Sequence, residues 1–117
     1  MMRLVSLHGH PDDPAEFDRY YRDVHTPLVQ RIPGVRNIRF GRVVGRDSAR
    51  PYYLVSDVYF DDAAALEAAQ GTTEMAAALS DVPNFATGGV TIMVCEYEDF
   101  APRRTSPASP HVEARST

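Results

Sequence analysis

Val90-Thr91-Ile92-Met93-Val94-Cys95 has the pattern of a β-strand that is apolar on both sides, and the architecture follows from it. Side chains alternate across a β-strand. Val90, Ile92 and Val94 therefore face one way, and Thr91, Met93 and Cys95 the other. Pro51 to Phe60 reads similarly, with Leu54, Val58 and Phe60 on one face and Tyr53, Val55 and Tyr59 on the other. A sheet with one wet face alternates apolar with polar, yet both of these strands are fairly apolar on both faces. Upstream, Arg3 to Gly9 and Val35 to Val44 read as two further strands. Between them a first helix is expected from Pro14 to His25, with Asp13 as N-cap, Pro14 in the first turn and Glu16 three residues beyond the cap. A second helix is expected over Ala63 to Gln70 behind Asp61-Asp62. Gly71-Thr72-Thr73 interrupts it, and helical character resumes over Glu74 to Leu79. The order β-α-β-β-α-β is the ferredoxin-like split unit, an α+β fold with an antiparallel sheet and both helices on one face. Two helices cover one face only. The other face calls for a partner, most simply a second copy packed sheet to sheet, so a homodimer is expected.

The rest of the chain limits what this unit can do. Its 117 residues make one domain, expected over 1–101. Residues 102–117 hold three prolines, three serines and no large apolar residue except Val112, and are expected to be a disordered tail. Twelve basic and sixteen acidic residues give a net charge of −4 without a basic block, which argues against nucleic acid. No apolar run approaches the roughly 18–20 residues that span a bilayer, so no membrane association is expected. Cys95 is the single cysteine, intrachain disulfides are impossible, and cytoplasm is the expected location. Phosphate loops, dinucleotide fingerprints and nucleophile elbows are missing, which points to cofactor-independent chemistry. His8-Gly9-His10 with Asp12 lacks a further convergent donor, so no metal is expected.

Candidate site residues gather around Tyr20-Tyr21-Arg22-Asp23-Val24-His25-Thr26-Pro27-Leu28. Phe17, Tyr20, Tyr21, Val24 and Leu28 recur at helical spacing, and His25 follows Tyr21 by four residues. Pro27 lacks an amide hydrogen, so regular helix should end or kink near Thr26 and leave the imidazole facing a cavity. His25 is the leading acid–base candidate, with a structural helix-end role as the alternative. Asp57 interrupts an apolar strand. It reads as an assistant to His25 or as the partner of a strand arginine such as Arg39, itself a candidate substrate contact. Tyr20, Tyr21 and Tyr53 could offer phenols to a ligand or simply pack. His8, near its strand end, could project into the same cavity. Asn84 and Phe85 could form a lid before Gly88-Gly89.

An opening strand followed by Pro14-Ala15-Glu16-Phe17-Asp18-Arg19-Tyr20-Tyr21, His25-Thr26-Pro27-Leu28 and Ile32-Pro33-Gly34-Val35 resembles the EthD-type family of dimeric α/β-barrel proteins. So do Pro51-Tyr52-Tyr53-Leu54-Val55 and Pro83-Asn84-Phe85-Ala86-Thr87-Gly88-Gly89, in matching order. The resemblance spans about Arg3 to Glu98. It implies a barrel made by two copies and puts His25 on the family's characteristic histidine. It further implies an isomerase, cyclase or lyase acting on a small, largely apolar oxygenated molecule such as a lactone or aromatic polyketide. A cofactor-free monooxygenase, or a ligand-binding accessory of a catabolic pathway without turnover, would match it too.

Overall fold

Capping residues set the starts of the helices. In the computed structural model, which describes residues 1–44 and 51–103, Asp13 accepts the Glu16 amide at the start of helix α1 (Pro14–Tyr20). Asp62 does the same for Ala65 at α3 (Ala63–Gln70), and Thr72 for Met75 at α4 (Thr73–Asp81). Each cap satisfies an amide that the helix itself leaves without an acceptor. Glu16 does not reach back to complete a capping box; its carboxylate instead takes two hydrogen bonds from Arg19.

Regular α-helix, expected to end or kink near Thr26, is interrupted over Tyr21–His25, but the chain's helical path does not stop at Pro27. After α1 the chain makes a π-helical turn, Tyr21–His25, and continues as α2 (Thr26–Gln30). The Thr26 amide donates to the Tyr21 carbonyl five residues back, and the Thr26 hydroxyl donates to the same oxygen at 2.8 Å. Pro27 has no amide to donate, and it sits in the first turn of α2, where a missing donor costs little. The wide turn lets the helix pass its own proline.

Strands β1 (Met2–His8), β2 (Asn37–Arg42), β3 (Leu54–Phe60) and β4 (Val90–Glu96) form an antiparallel sheet in the order β2-β3-β1-β4. This is the expected ferredoxin-like α+β topology. The registers pair Leu4 with Val58, Ser6 with Ser56, and His8 with Leu54 and Val90, so these even-numbered residues share one face. That face carries the core. Val58 and Phe60 pack against Val29 and Ile32 from the first helical layer and Leu66, Ala69, Met75 and Ala78 from the second. A second cluster joins Phe17 and Tyr21 to Leu54 and Phe85.

The odd-numbered residues form the other face, where Val5, Val55, Asp57, Tyr59 and Met93 are uncovered by helix. Gly9 and Gly88 lie so close that a Cβ on Gly9 would stand 2.2 Å from the Gly88 carbonyl oxygen, which ties the end of β1 to the start of β4. Among the described residues no helix is long and apolar enough to cross a membrane. The expected turn at Gly45-Arg46-Asp47-Ser48 and the tail from Arg104 onward lie outside the described residues.

Candidate active site

His25 leaves the π-helical turn pointing between the helices and the sheet and is 7% exposed. Its Nδ1 lies 3.0 Å from Oδ2 of Asp81, the last residue of α4. Asp81 is 8% exposed. Its Oδ1 accepts from the Tyr20 hydroxyl at 2.6 Å and from the Asn84 side-chain amide at 3.0 Å. Burial by itself would raise the Asp81 pKa, but the hydrogen bonds from Tyr20, Asn84 and His25 outweigh it and hold the carboxyl below its usual range. An ionised carboxylate only accepts, so Nδ1 carries the proton and Nε2 of neutral His25 carries the lone pair. Burial pushes the His25 pKa down against the opposing pull of Asp81. The imidazole is therefore neutral near pH 7 with a basic nitrogen on offer.

A cavity of about 40 Å³ adjoins this ring. Its polar wall is His8, His25, Tyr21, Thr26 and the cross-strand pair Ser6 and Ser56; its apolar wall includes Leu4, Val29, Ile38, Val58, Met75 and Val90. Leu79 and Ile92, 45% and 39% exposed, also line it and mark its mouth. Burial raises the Tyr21 phenol, against the influence of a hydrogen bond with Ser56, so this hydroxyl stays protonated and can donate. His8 is 2% exposed, and its ring is surrounded by Phe17, Tyr21 and Phe85 with centroids 5.4, 5.7 and 5.6 Å away. Burial first, and the neighbouring His25 second, lower its pKa to about 4.

The structure brings some of the expected site residues together and separates others. His25, Tyr21 and His8 line the one cavity. Phe85 packs at a tilt beside both imidazoles, its ring centroid 4.6 Å from that of His25. Tyr20 and Asn84 reach Asp81 rather than the cavity. Tyr53 donates to Asp18 at 2.8 Å and packs on Phe17, outside the cavity wall.

Asp57 as the assistant of His25 is a correction. It lies on the opposite face of the sheet, across from Arg39 and 3.9 Å from Arg3, because its odd position in β3 turns it away from the helices. Arg39 shares that face and lines a separate hollow with Asp57 and Val55, so it does not border the histidine cavity. The partner of His25 is Asp81, which lies two residues past the expected helical stretch at Glu74 to Leu79 and is the last residue of α4. One signal could have flagged it: a carboxylate at the C-terminal end of a helix opposes the helix dipole and needs another reason to be there. Ser6 and Ser56 were also missed; both are small polar residues at inward positions of otherwise apolar strands.

The EthD domain matches residues 10–89. This chain belongs to the EthD family. An uncharacterized 11.0 kDa protein in the thcB-thcC intergenic region of Rhodococcus erythropolis is 38% identical to it over 103 residues, covering 87% of this chain and all of that one. The crystal structure of an ethyl tert-butyl ether D (EthD) family protein from Bacillus halodurans is 34% identical, with a TM-score of 0.77, covering 84% of this chain and 99% of the other. SnoaB, a cofactor-independent oxygenase from Streptomyces nogalater, shares the fold at 18% identity and a TM-score of 0.54, over 91% of this chain and 95% of its own. The EthD chain thus belongs to a fold whose members include a cofactor-independent oxygenase.

Proposed function

We propose that this EthD-family chain is a cofactor-independent acid–base enzyme, an isomerase, cyclase or lyase, acting on a small, largely apolar oxygenated molecule such as a lactone or aromatic polyketide. The observation that carries this reading is the buried pair of His25 and Asp81 beside a mostly apolar cavity. In this reading Nε2 of His25 takes a proton from a carbon next to a carbonyl. The electron pair moves into an enolate, and the Tyr21 hydroxyl donates to the oxygen where charge develops. Asp81 keeps the tautomer fixed and stabilises the imidazolium without accepting the proton itself. Return of the proton to a different carbon gives isomerisation; attack of the enolate on a second carbonyl gives cyclisation.

The test is incorporation of solvent deuterium into a panel of small enolisable lactones and β-dicarbonyl compounds, followed by NMR. The native protein is expected to accelerate exchange, and His25→Ala to lower that rate by about 10²–10⁴-fold. Equal rates for the two proteins would defeat the reading.

A second reading is a binder without turnover, in which the mostly apolar wall holds the ligand and His25 makes one hydrogen bond to it. Under that reading His25→Ala changes ligand affinity, and no exchange is catalysed by either protein. SnoaB supports a cofactor-free oxygenase as a further variant of the enzyme reading.

A further inference from the structure

The cavity wall contains no Arg, Lys, Asp or Glu among the described residues. Asp81, the fixed charge nearest its polar end, sits behind His25 and is negative. A carboxylate or phosphate entering here would give up its hydration with no cation to receive it, and an ammonium would find no carboxylate on the wall. The remaining polar wall is neutral: two imidazoles, a phenol and small hydroxyls. One of these groups is unsatisfied. Nδ1 of His8 is buried and has no hydrogen-bond partner among the described residues, although the ring lines the cavity and is otherwise enclosed by aromatic rings. Leaving a buried polar atom unpaired costs about 1–3 kcal/mol, whereas phenylalanine in its place would pack against Phe17, Tyr21 and Phe85 without that cost. A hydroxyl both donates and accepts, so it complements a neutral imidazole in either tautomer.

We propose that the ligand of this cavity is an uncharged molecule bearing a hydroxyl, of the phenol or enol class, and that His8 is the second imidazole that contacts it. This deepens the functional reading above and rests on it only in taking the cavity as the ligand site. His25 handles the proton at carbon; His8 holds the hydroxyl and selects against the deoxy analogue. The modest volume means that the hydroxyl-bearing end of the molecule enters, while any remainder lies across the mouth at Leu79 and Ile92.

The experiment titrates protein carrying ¹⁵N-labelled histidine with 4-methylphenol, toluene and 4-methylbenzoate at pH 7.5. In the unmodified protein, 4-methylphenol is expected to shift the His8 ring-nitrogen signals and to bind roughly 3–10-fold more tightly than toluene, the size of one hydrogen bond. 4-Methylbenzoate is expected to leave those signals in place. His8→Phe should keep toluene binding and lose the preference for the phenol. His25→Ala should keep that preference, so the assignment of His8 stands even if His25 proves to transfer no proton. The proposal is overturned if 4-methylbenzoate binds as well as the phenol, if the phenol leaves the His8 signals of the unmodified protein unmoved, or if the preference survives His8→Phe.

Discussion

The two faces of the sheet differ more than their sequences suggest. On β3 the residues Leu54, Ser56, Val58 and Phe60 turn toward the helices and are all buried; Val55, Asp57 and Tyr59 turn outward and are only partly covered. Over β3 the helix-side face is packed closed and leaves one buried nitrogen unpaired, that of His8, while Ile92 and Val94 at its β4 edge stay 39% and 48% exposed. The outer face holds its charges in a sandwich. The Arg3 guanidinium lies 4.0 and 3.9 Å from the rings of Tyr59 and Tyr97 and faces Asp57, while Arg3 Nε and the Tyr59 hydroxyl have no hydrogen-bond partner among the described residues. Beside them Met93 stays 39% exposed. Along β3 the helix-side face is covered by its own chain. The outer face has the composition of an interface lacking its second half, and we propose that a second copy of the chain packs there.

The harshest way to break this contrast is a charge on the outer face. Met93→Glu should raise the dimer dissociation constant by about 10³-fold or more, since an unpaired buried charge costs several kcal/mol. Sedimentation velocity reads the result; a native protein that sediments as a monomer would remove the interface altogether. On the inner face, Asp81→Asn presents an amide that can donate to Nδ1 and thereby shift the imidazole proton to Nε2. Exchange activity should fall by about 10²–10⁴-fold while the dimer persists.

Acid should strain the inner face next. Both histidines have folded pKa values below their unfolded ones, so the unfolded chain binds more protons over the interval between them and stability must fall as pH drops. For His8 the loss begins below about pH 6.5, is complete near its folded value of about 4, and amounts to roughly 3 kcal/mol. Asp81, with its lowered pKa, adds a further loss at more acidic pH. Denaturant melts from pH 7.5 to 4 measure this, and His8→Phe should flatten much of the slope. The smallest effect belongs to Tyr20→Phe. It removes one of three donors to Asp81 and should cost about 1–2 kcal/mol with the dimer untouched; a much larger loss of activity would mean that Tyr20 orients the carboxylate more strongly than Asn84 does.

Much of this architecture could be read from period and capping alone. Asp13 and Asp62 are local signals, and each caps a helix where local chemistry puts it; Val90–Glu96 forms its strand too, although exposure does not alternate along it. The break near Pro27 was legible but the path past it was not, because proline forbids a hydrogen bond without saying how the backbone will reroute; Thr26 supplied the detour. The site was half legible. His25 and Tyr21 share a helix, so their proximity follows from spacing. Asp81 meets His25 across 56 positions of chain, through the packing of two helical layers that no short window contains. Asp57 stood on the face its parity dictated, but parity could not say which face the helices would cover.

The buried residues of the first helical stretch, Phe17, Tyr21, His25 and Val29, recur at intervals of four. A regular α-helix turns about 100° per residue, so a step of four overshoots a full circle by about 40°. Three such steps would swing Val29 about 120° away from the direction of Phe17 and carry the imidazole partly round toward solvent. The turn at Tyr21–His25 winds more slowly and takes back much of that drift. The ladder stays in line because its pitch angle changes midway, so His25 is aimed at the sheet by a local unwinding of the helix that carries it.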